Sequence, residues 1–209
     1  MRATWYFDFI SPFAYLHFKQ FAKLPAALEV EHVPVLFAGL LKAHGHKGPA
    51  EIAEKRRQTY RICVWQAREQ GIAMRFPPAH PFNPLNALRL CVAAGATARA
   101  VELIFDSIWK HGQDINAVPT LAALAQQLDI PDAQSALADP QVKQRLLHNT
   151  AAAVERGIYG VPTFDFAGEL FWGADALGLM CAYANDPGLF RQGEFARVDG
   201  LPQGAARKP

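Results

Sequence analysis

Residues Trp5–Leu16 read WYFDFISPFAYL. An aromatic, almost unbroken apolar run gives way at Ser11-Pro12 to a segment suited to a helix. A strand buried on both faces loses the alternation of a half-exposed one. Thr4 to Phe9 therefore reads as a central strand. Serine is a favoured N-cap, and proline at the first helical position gives up an N–H that the helix does not use. A helix over Pro12 to Ala22 follows. The chain thus turns from strand to helix at Ser11, where free first-turn N–H groups and the positive helix end gather beside a hydroxyl. Read alone, Ser11 is an N-cap worth about 1 kcal/mol. It is a poor nucleophile, because no histidine adjoins it in sequence and a bare hydroxyl needs a base. It is better suited to donate a hydrogen bond to an anion that another molecule brings in.

Further along, Leu28 to Leu36 (LEVEHVPVL) alternates as a second strand, and Thr163 to Phe171 (TFDFAGELF) reads as two short strands joined at Ala167-Gly168. Helical patterns cover Glu51–Gln70, Asn83–Ala94, Ala98–Lys110, Val118–Leu128, Pro131–Leu137, Pro140–Gly157 and Asp175–Tyr183. The order is β-α-β, a long helical block, then β-β-α. A block of that length is no loop. It reads as a helical subdomain, residues 40–157, inserted into a small α/β domain made of residues 1–39 and 158–200. Residues 201–209 read as a flexible tail.

Composition excludes several classes. The chain has 209 residues, 51% of them hydrophobic, and a net charge of +2 without a long basic run. Nucleic acid is not implied as a partner. No apolar run approaches the roughly 20 residues that span a bilayer, and no signal-like segment opens the sequence. Neither membrane nor export is implied, and a cytoplasmic location is expected. Cys63, Cys91 and Cys181 form no Cys-x-x-Cys pair, and so sparse a set fits a reducing compartment. His44 and His46 invite a metal reading, but zinc takes three or four ligands and no partner cluster is evident, so no metal is expected.

Gly160-Val161-Pro162-Thr163-Phe164 reads as a tight turn before the late strands, with a candidate cis bond at Pro162. Five motifs occur in order: FDFISPFAYL, PVLFAGLLKAHGH, HPFNPLNALRL, GVPTF and FWGAD. Together, over about Thr4 to Ala184, they resemble the 2-hydroxychromene-2-carboxylate isomerases, thioredoxin-like proteins related to the kappa-class glutathione transferases. In that resemblance Ser11-Pro12-Phe13-Ala14 takes the place of the thioredoxin Cys-x-x-Cys, and Val161-Pro162-Thr163 is the cis-proline loop. The implied fold is α/β, a thioredoxin-like domain with a large all-helical insertion, as in the disulfide oxidases. With both cysteines absent, dithiol exchange is excluded.

The resemblance implies glutathione as cofactor, its sulfur over the first helix N-terminus. Ser11 would donate to that sulfur and favour its thiolate, as a helix end and a hydrogen bond to the charged form both do. Val161 would pair its main chain with the cysteinyl unit. The segment Trp172-Gly173-Ala174-Asp175 would receive the γ-glutamyl end, Asp175 taking its ammonium and also capping a helix. The family often has arginine where this chain has Ala176, and asparagine where it has His46. The implied substrate is an aromatic carboxylate, with Lys42, His46, Asn83 and Asn86 beside it. Left to the residues alone, Lys42 is a solvated helix charge, Asn83 and Asn86 are caps, and Lys55 and Arg56 lie on a charged face. Phe13, Tyr15 and Trp172 line either a ring pocket or the core. The implied reaction is reversible addition of thiolate to the ring-opened substrate, rotation about the resulting single bond, and expulsion. It would interconvert 2-hydroxychromene-2-carboxylate and trans-o-hydroxybenzylidenepyruvate in aromatic-compound degradation. A homodimer is also implied. The rivals are a kappa-like glutathione transferase or peroxidase, and a cysteine-less thioredoxin-like binding protein without catalysis.

Overall fold

In the computed structural model, which describes residues 1–205, β1 (Arg2–Phe7) lies inside a four-stranded sheet of order β2-β1-β3-β4. β2 (Glu29–Pro34) is parallel to β1, so a crossover must join them, and α1 (Pro12–Phe18) supplies it. β3 (Thr163–Phe166) pairs antiparallel with β1, Thr163 opposite Tyr6, and β4 (Glu169–Trp172) pairs antiparallel with β3. The turn between them is Ala167-Gly168, both at positive φ, which matches the twist of a two-residue hairpin.

Between β2 and β3 run α2 (Phe37–Ala43), α3 (Ala53–Glu69), α4 (Leu85–Ala93), α5 (Ala98–Phe105), α6 (Val118–Gln127), α7 (Ala133–Ala138) and α8 (Pro140–Glu155). After β4 come α9 (Leu177–Asn185) and α10 (Gly193–Asp199).

Both faces of β1 are covered, which is why its sequence does not alternate. Ala3, Trp5 and Phe7 enter the larger core with Phe164, Phe166, Phe171 and residues of α1, α4 and α5. Tyr6, Val33 and Leu170 pack on the other side with Val35, Leu40 of α2 and Ala153 of α8. Arg156, at the end of α8, grips β3 through a bidentate pair with Asp165 at 2.6 and 3.0 Å.

Several boundaries move. β1 stops at Phe7 rather than Phe9, because the buried Asp8 carboxylate accepts the Ile10 N–H at 3.1 Å and turns the chain. α1 ends at Phe18 rather than Ala22, where the Gln20 side chain donates to the Leu16 carbonyl and a short 3₁₀ turn, Phe21–Lys23, follows. The helix expected through Lys110 widens at Asp106 into a π-helical turn. α10 was not foreseen in the sequence. Of the expected tail, residues 201–205 form no helix or strand, and 206–209 lie outside the described residues.

The α2–α8 contact depends on Gly39. A Cβ there would stand 2.8 Å from Thr150 Cγ2, and Thr150 Oγ1 accepts the Leu36 N–H that starts α2, at 3.0 Å. Alanine is the better helix former by about 1 kcal/mol. Gly39→Ala is nevertheless expected to destabilise by about 1–3 kcal/mol through overpacking. Thr150→Ser removes the colliding methyl and keeps the hydroxyl, so the double variant should regain most of the loss in urea unfolding.

Candidate active site at the Ser11 turn

Ser11 stands four residues beyond β1, and Val161 two residues before β3. The pairing of Tyr6 with Thr163 brings these two segments to the same end of the sheet. Ser11 is the N-cap of α1: its Oγ accepts the Ala14 N–H at 3.2 Å, with Pro12 behind it. It is largely buried, at 8% exposure. As N-cap its hydroxyl oxygen serves as acceptor. The O–H itself meets no acceptor among the described residues, and neither does the Phe13 N–H. Two donors therefore remain at the start of α1.

The loop that carries Ser11 is tied down at every step. Asp8 is fully buried; one carboxylate oxygen accepts from Ile10, the other from Phe37 at the start of α2, at 2.8 Å. The Asp8 carbonyl accepts the Ser11 N–H at 3.1 Å. Trp109 Nε1 donates to the Phe9 carbonyl at 2.8 Å. His80 Nε2 donates to the Ile10 carbonyl at 2.8 Å, which leaves Nδ1 to accept from the Tyr60 hydroxyl at 2.7 Å. Burial holds the His80 imidazole below its usual pKa, and the Arg56 charge adds to this. None of Asp8, Tyr60, His80 and Trp109 stood among the expected site residues. Asp8 lay inside the motif FDFISPFAYL and His80 at the head of HPFNPLNALRL, whereas Tyr60 and Trp109 lay in no marked motif.

Across from Ser11, the Val161–Pro162 bond is cis. Neither the N–H nor the C=O of Val161 is hydrogen-bonded among the described residues. Thr163 Oγ1 donates to the Gly160 carbonyl and shapes the turn. The indole of Trp172 lies over Gly160, where a Cβ would come 2.4 Å from Nε1. Trp172 remains half exposed and meets Tyr159 edge-on at 5.2 Å. Gly173, at φ 99°, lets the exposed Asp175 carboxylate fold back over it, with Oδ1 2.4 Å from where a Cβ would stand. Asp175 does not cap α9, contrary to expectation. It sits inside the 3₁₀ turn Ala174–Ala176, and its carboxylate accepts no backbone N–H there.

The other expected residues divide. Lys42 and His46 are exposed at the far end of α2 and beyond it, while His44 Nε2 donates to the Ile158 carbonyl at 3.1 Å. Asn83 accepts the Leu85 N–H, as a capping asparagine does, and Asn86 donates to Asn116, whose own amide donates to the Asn83 carbonyl. Lys55 and Arg56 are solvated on α3. Tyr15 belongs to the core: its hydroxyl donates to the Ala73 carbonyl at 2.6 Å and its ring packs on Phe105. Phe13 is half buried against the same core.

A strand, a capped helix and a cis-proline loop at one end of the sheet are the arrangement of thioredoxin-like proteins, and the family model for the DSBA-like thioredoxin domain matches residues 4–182. The chain belongs to this family. It is also similar to the 2-hydroxychromene-2-carboxylate isomerase of Pseudomonas putida, 29% identical over 86% of this chain and 92% of that one. The rat protein Glutathione S-transferase kappa 1 (Rattus norvegicus) is 21% identical over 84% of this chain and 87% of its own. Among solved structures, that of a 2-hydroxychromene-2-carboxylate isomerase superimposes with a TM-score of 0.76 at 22% identity, covering 97% of this chain and all of the other. The resemblance read from the motifs and the fold class read from the element order are both borne out.

Within this DSBA-like frame the buried ionisable groups pull against each other. Burial raises Asp8 to about 7 and lowers His17 to about 3. His17 is a core residue whose Nδ1 accepts from Trp5 Nε1. Folded Asp8 keeps a proton that the unfolded chain has released above about pH 4. Its stabilising contribution is complete below that pH and is lost as pH rises through about 7. His17 has the opposite sign, contributing above about pH 6.5 and losing that contribution as pH falls toward 3. Asp8→Asn removes the first slope and leaves the second. Measured by urea unfolding, the variant's stability relative to the parent should improve steadily from pH 4 to 7, and a constant offset would contradict the assignment.

Proposed function

We propose that the protein is a glutathione-dependent isomerase interconverting 2-hydroxychromene-2-carboxylate and trans-o-hydroxybenzylidenepyruvate in aromatic-compound degradation. The observation that carries this reading is the set of unused polar groups at one end of the sheet. They are the Ser11 hydroxyl, the Phe13 N–H and the main chain of Val161, in a chain similar along most of its length to a named isomerase.

These residues fit the tripeptide. The free N–H and C=O of Val161 are the two groups an added strand needs. Ser11 and Phe13 offer two donors to a sulfur anion at a helix N-terminus, and both effects lower a thiol pKa. Asp175, exposed and without a cation partner among the described residues, suits an ammonium. Held at Ser11, Phe13 and Val161, glutathione would supply a thiolate nucleophile for reversible addition to the conjugated ring-opened substrate, which would make the former double bond single. The chain's own work is to keep that sulfur ionised, to hold the substrate against it and to leave no redox change behind. Lys42 is the candidate partner for the substrate carboxylate, with His46, Asn83 and Asn86 beside it.

The similarity to the rat kappa-class protein favours a second reading, a glutathione transferase or peroxidase on the same site. The two differ in stoichiometry. Ultraviolet absorbance of 2-hydroxychromene-2-carboxylate should approach equilibrium with enzyme and a trace of glutathione, and not without it. Equal rates in both conditions would remove the cofactor, and glutathione consumed mole for mole with a chlorinated aromatic would favour the transferase. Ser11→Ala should lower kcat roughly 10- to 100-fold, the loss of one hydrogen bond to a charged group. It should also move the acidic, rising limb of the pH–rate profile to higher pH, because the thiolate then forms later. An unchanged profile would leave Ser11 as a cap only.

A further inference from the structure

Three short polar contacts meet at one imidazole beside the Ser11 turn. His80 Nε2 lies 2.8 Å from the Ile10 carbonyl, and Nδ1 lies 2.7 Å from the Tyr60 hydroxyl. The same hydroxyl lies 2.8 Å from the His80 carbonyl. A carbonyl only accepts, so Nε2 carries a proton whenever it bonds Ile10. The other end of the ring is different. With His80 neutral, Tyr60 has one proton for two acceptors, Nδ1 and the main-chain oxygen. With His80 charged, Nδ1 donates to Tyr60, and the hydroxyl turns to the His80 carbonyl. Tyrosine can make this exchange because its oxygen both donates and accepts. The surround is apolar: Phe76 packs 4.7 Å from the Tyr60 ring, and Trp109 lies 5.4 Å from the imidazole. Burial holds the Tyr60 hydroxyl above its usual pKa, so it keeps its proton at neutral pH. Arg56, one turn earlier on α3, is the charge that bears on both rings. Asp8 grips the same loop from its other side, through the Ile10 N–H.

We propose that Tyr60 and His80 are positioning residues for Ser11: His80 holds the Ile10 carbonyl, and Tyr60 keeps the donating proton on Nε2 in either charge state of the ring. This rests on the glutathione reading above, in which the hydroxyl so placed donates to the sulfur. The Ile10 carbonyl and the Ser11 N–H belong to one planar peptide unit. His80 takes its oxygen, and the Asp8 carbonyl takes its N–H at 3.1 Å. Both polar ends of that plane are therefore fixed, and with them the direction in which the Ser11 side chain leaves the main chain. Without His80 the plane is held at one end only. A hydrogen bond to a reacting atom is sensitive to such a loss, because small misplacements cost rate steeply. Which ring nitrogen carries the proton is set by the bond that the other one makes. Tyr60 thus acts on Ser11 through His80 and Ile10, from a helix of the inserted block and across 70 residues of sequence between His80 and Ile10.

Two measurements test this, the first without ligand. Nitrogen NMR of the unliganded parent should find the His80 proton on Nε2. Tyr60→Phe removes one oxygen from a partly buried ring and should fold normally. It should lower the His80 pKa, because the charged ring then has no acceptor at Nδ1, and should speed hydrogen exchange at the Ser11 amide. His80→Gln places an amide nitrogen where Nε2 stands and should keep that amide protected, whereas His80→Leu should not. The second measurement is the thiolate absorbance of bound glutathione, titrated with pH. His80→Leu should raise the bound thiol pKa by roughly one unit, a tenfold loss of thiolate at neutral pH. Tyr60→Phe should raise it by less, and His80→Gln should leave it within a few-fold of the parent. In a Ser11→Ala background neither Tyr60→Phe nor His80→Leu should raise it further, since their effect passes through the hydroxyl. Unchanged Ser11 exchange and His80 pKa in Tyr60→Phe would overturn the positioning role, as would a full effect of His80→Leu without the Ser11 hydroxyl, and both leave the cofactor reading standing. If Ser11 exchange responds as expected while the parent binds no glutathione, the positioning of Ser11 stands and the cofactor reading falls.

Discussion

The structure turns on how the short loop Asp8–Ser11 is held. Its polar groups are buried where a strand ends and a helix begins, so each must find a partner inside the protein. Asp8 takes two N–H groups, Trp109 and His80 take the carbonyls of Phe9 and Ile10, and the Ser11 carbonyl starts α1. Two of those partners come from the helical block, about 70 and 100 residues away. The block is therefore more than a lid on the sheet. Without it, two carbonyls beside the candidate site would be buried and unpaired, at a cost of about 1–3 kcal/mol each.

What the loop leaves unpaired is as informative as what it pairs. A chain that satisfies nearly every buried group here leaves the Ser11 O–H, the Phe13 N–H and both main-chain groups of Val161 open. They lie where β1 ends and β3 begins, so the sheet register fixes their spacing. A site built this way depends on strand pairing rather than on flexible side chains.

The sequence carried this part of the fold because the signals were local. An aromatic run without alternation meant a doubly covered strand, Ser-Pro meant a capped helix, and Val-Pro-Thr meant a turn. The partners of the loop were not legible for the opposite reason. Nothing near Trp109 announces that a π-helical turn aims its indole at Phe9, and nothing near Tyr60 announces His80. The strand end was misplaced by two residues because Asp8, buried in an apolar run, acts through its side chain and not through strand propensity. Asn83 and Asn86 show the converse. Their setting in the motif drew attention, and their amides are already engaged with Leu85 and Asn116.

The chain's own sulfurs narrow the chemistry further. Cys91 is fully buried and its thiol is raised well out of the reactive range, and burial pushes Cys63 to about 12. Cys181 is partly exposed, and burial raises its pKa as well. A thiol is nucleophilic as thiolate, which requires the pKa to fall and not rise. In this DSBA-like thioredoxin domain the N-cap of the first helix is a serine, and every thiol the chain possesses lies where its anion is disfavoured. The proposed thiolate chemistry would therefore use a sulfur that arrives with a ligand. The unpaired N–H and C=O of Val161, set near Ser11 by the pairing of β1 with β3, are the groups through which such a ligand would be held beside it.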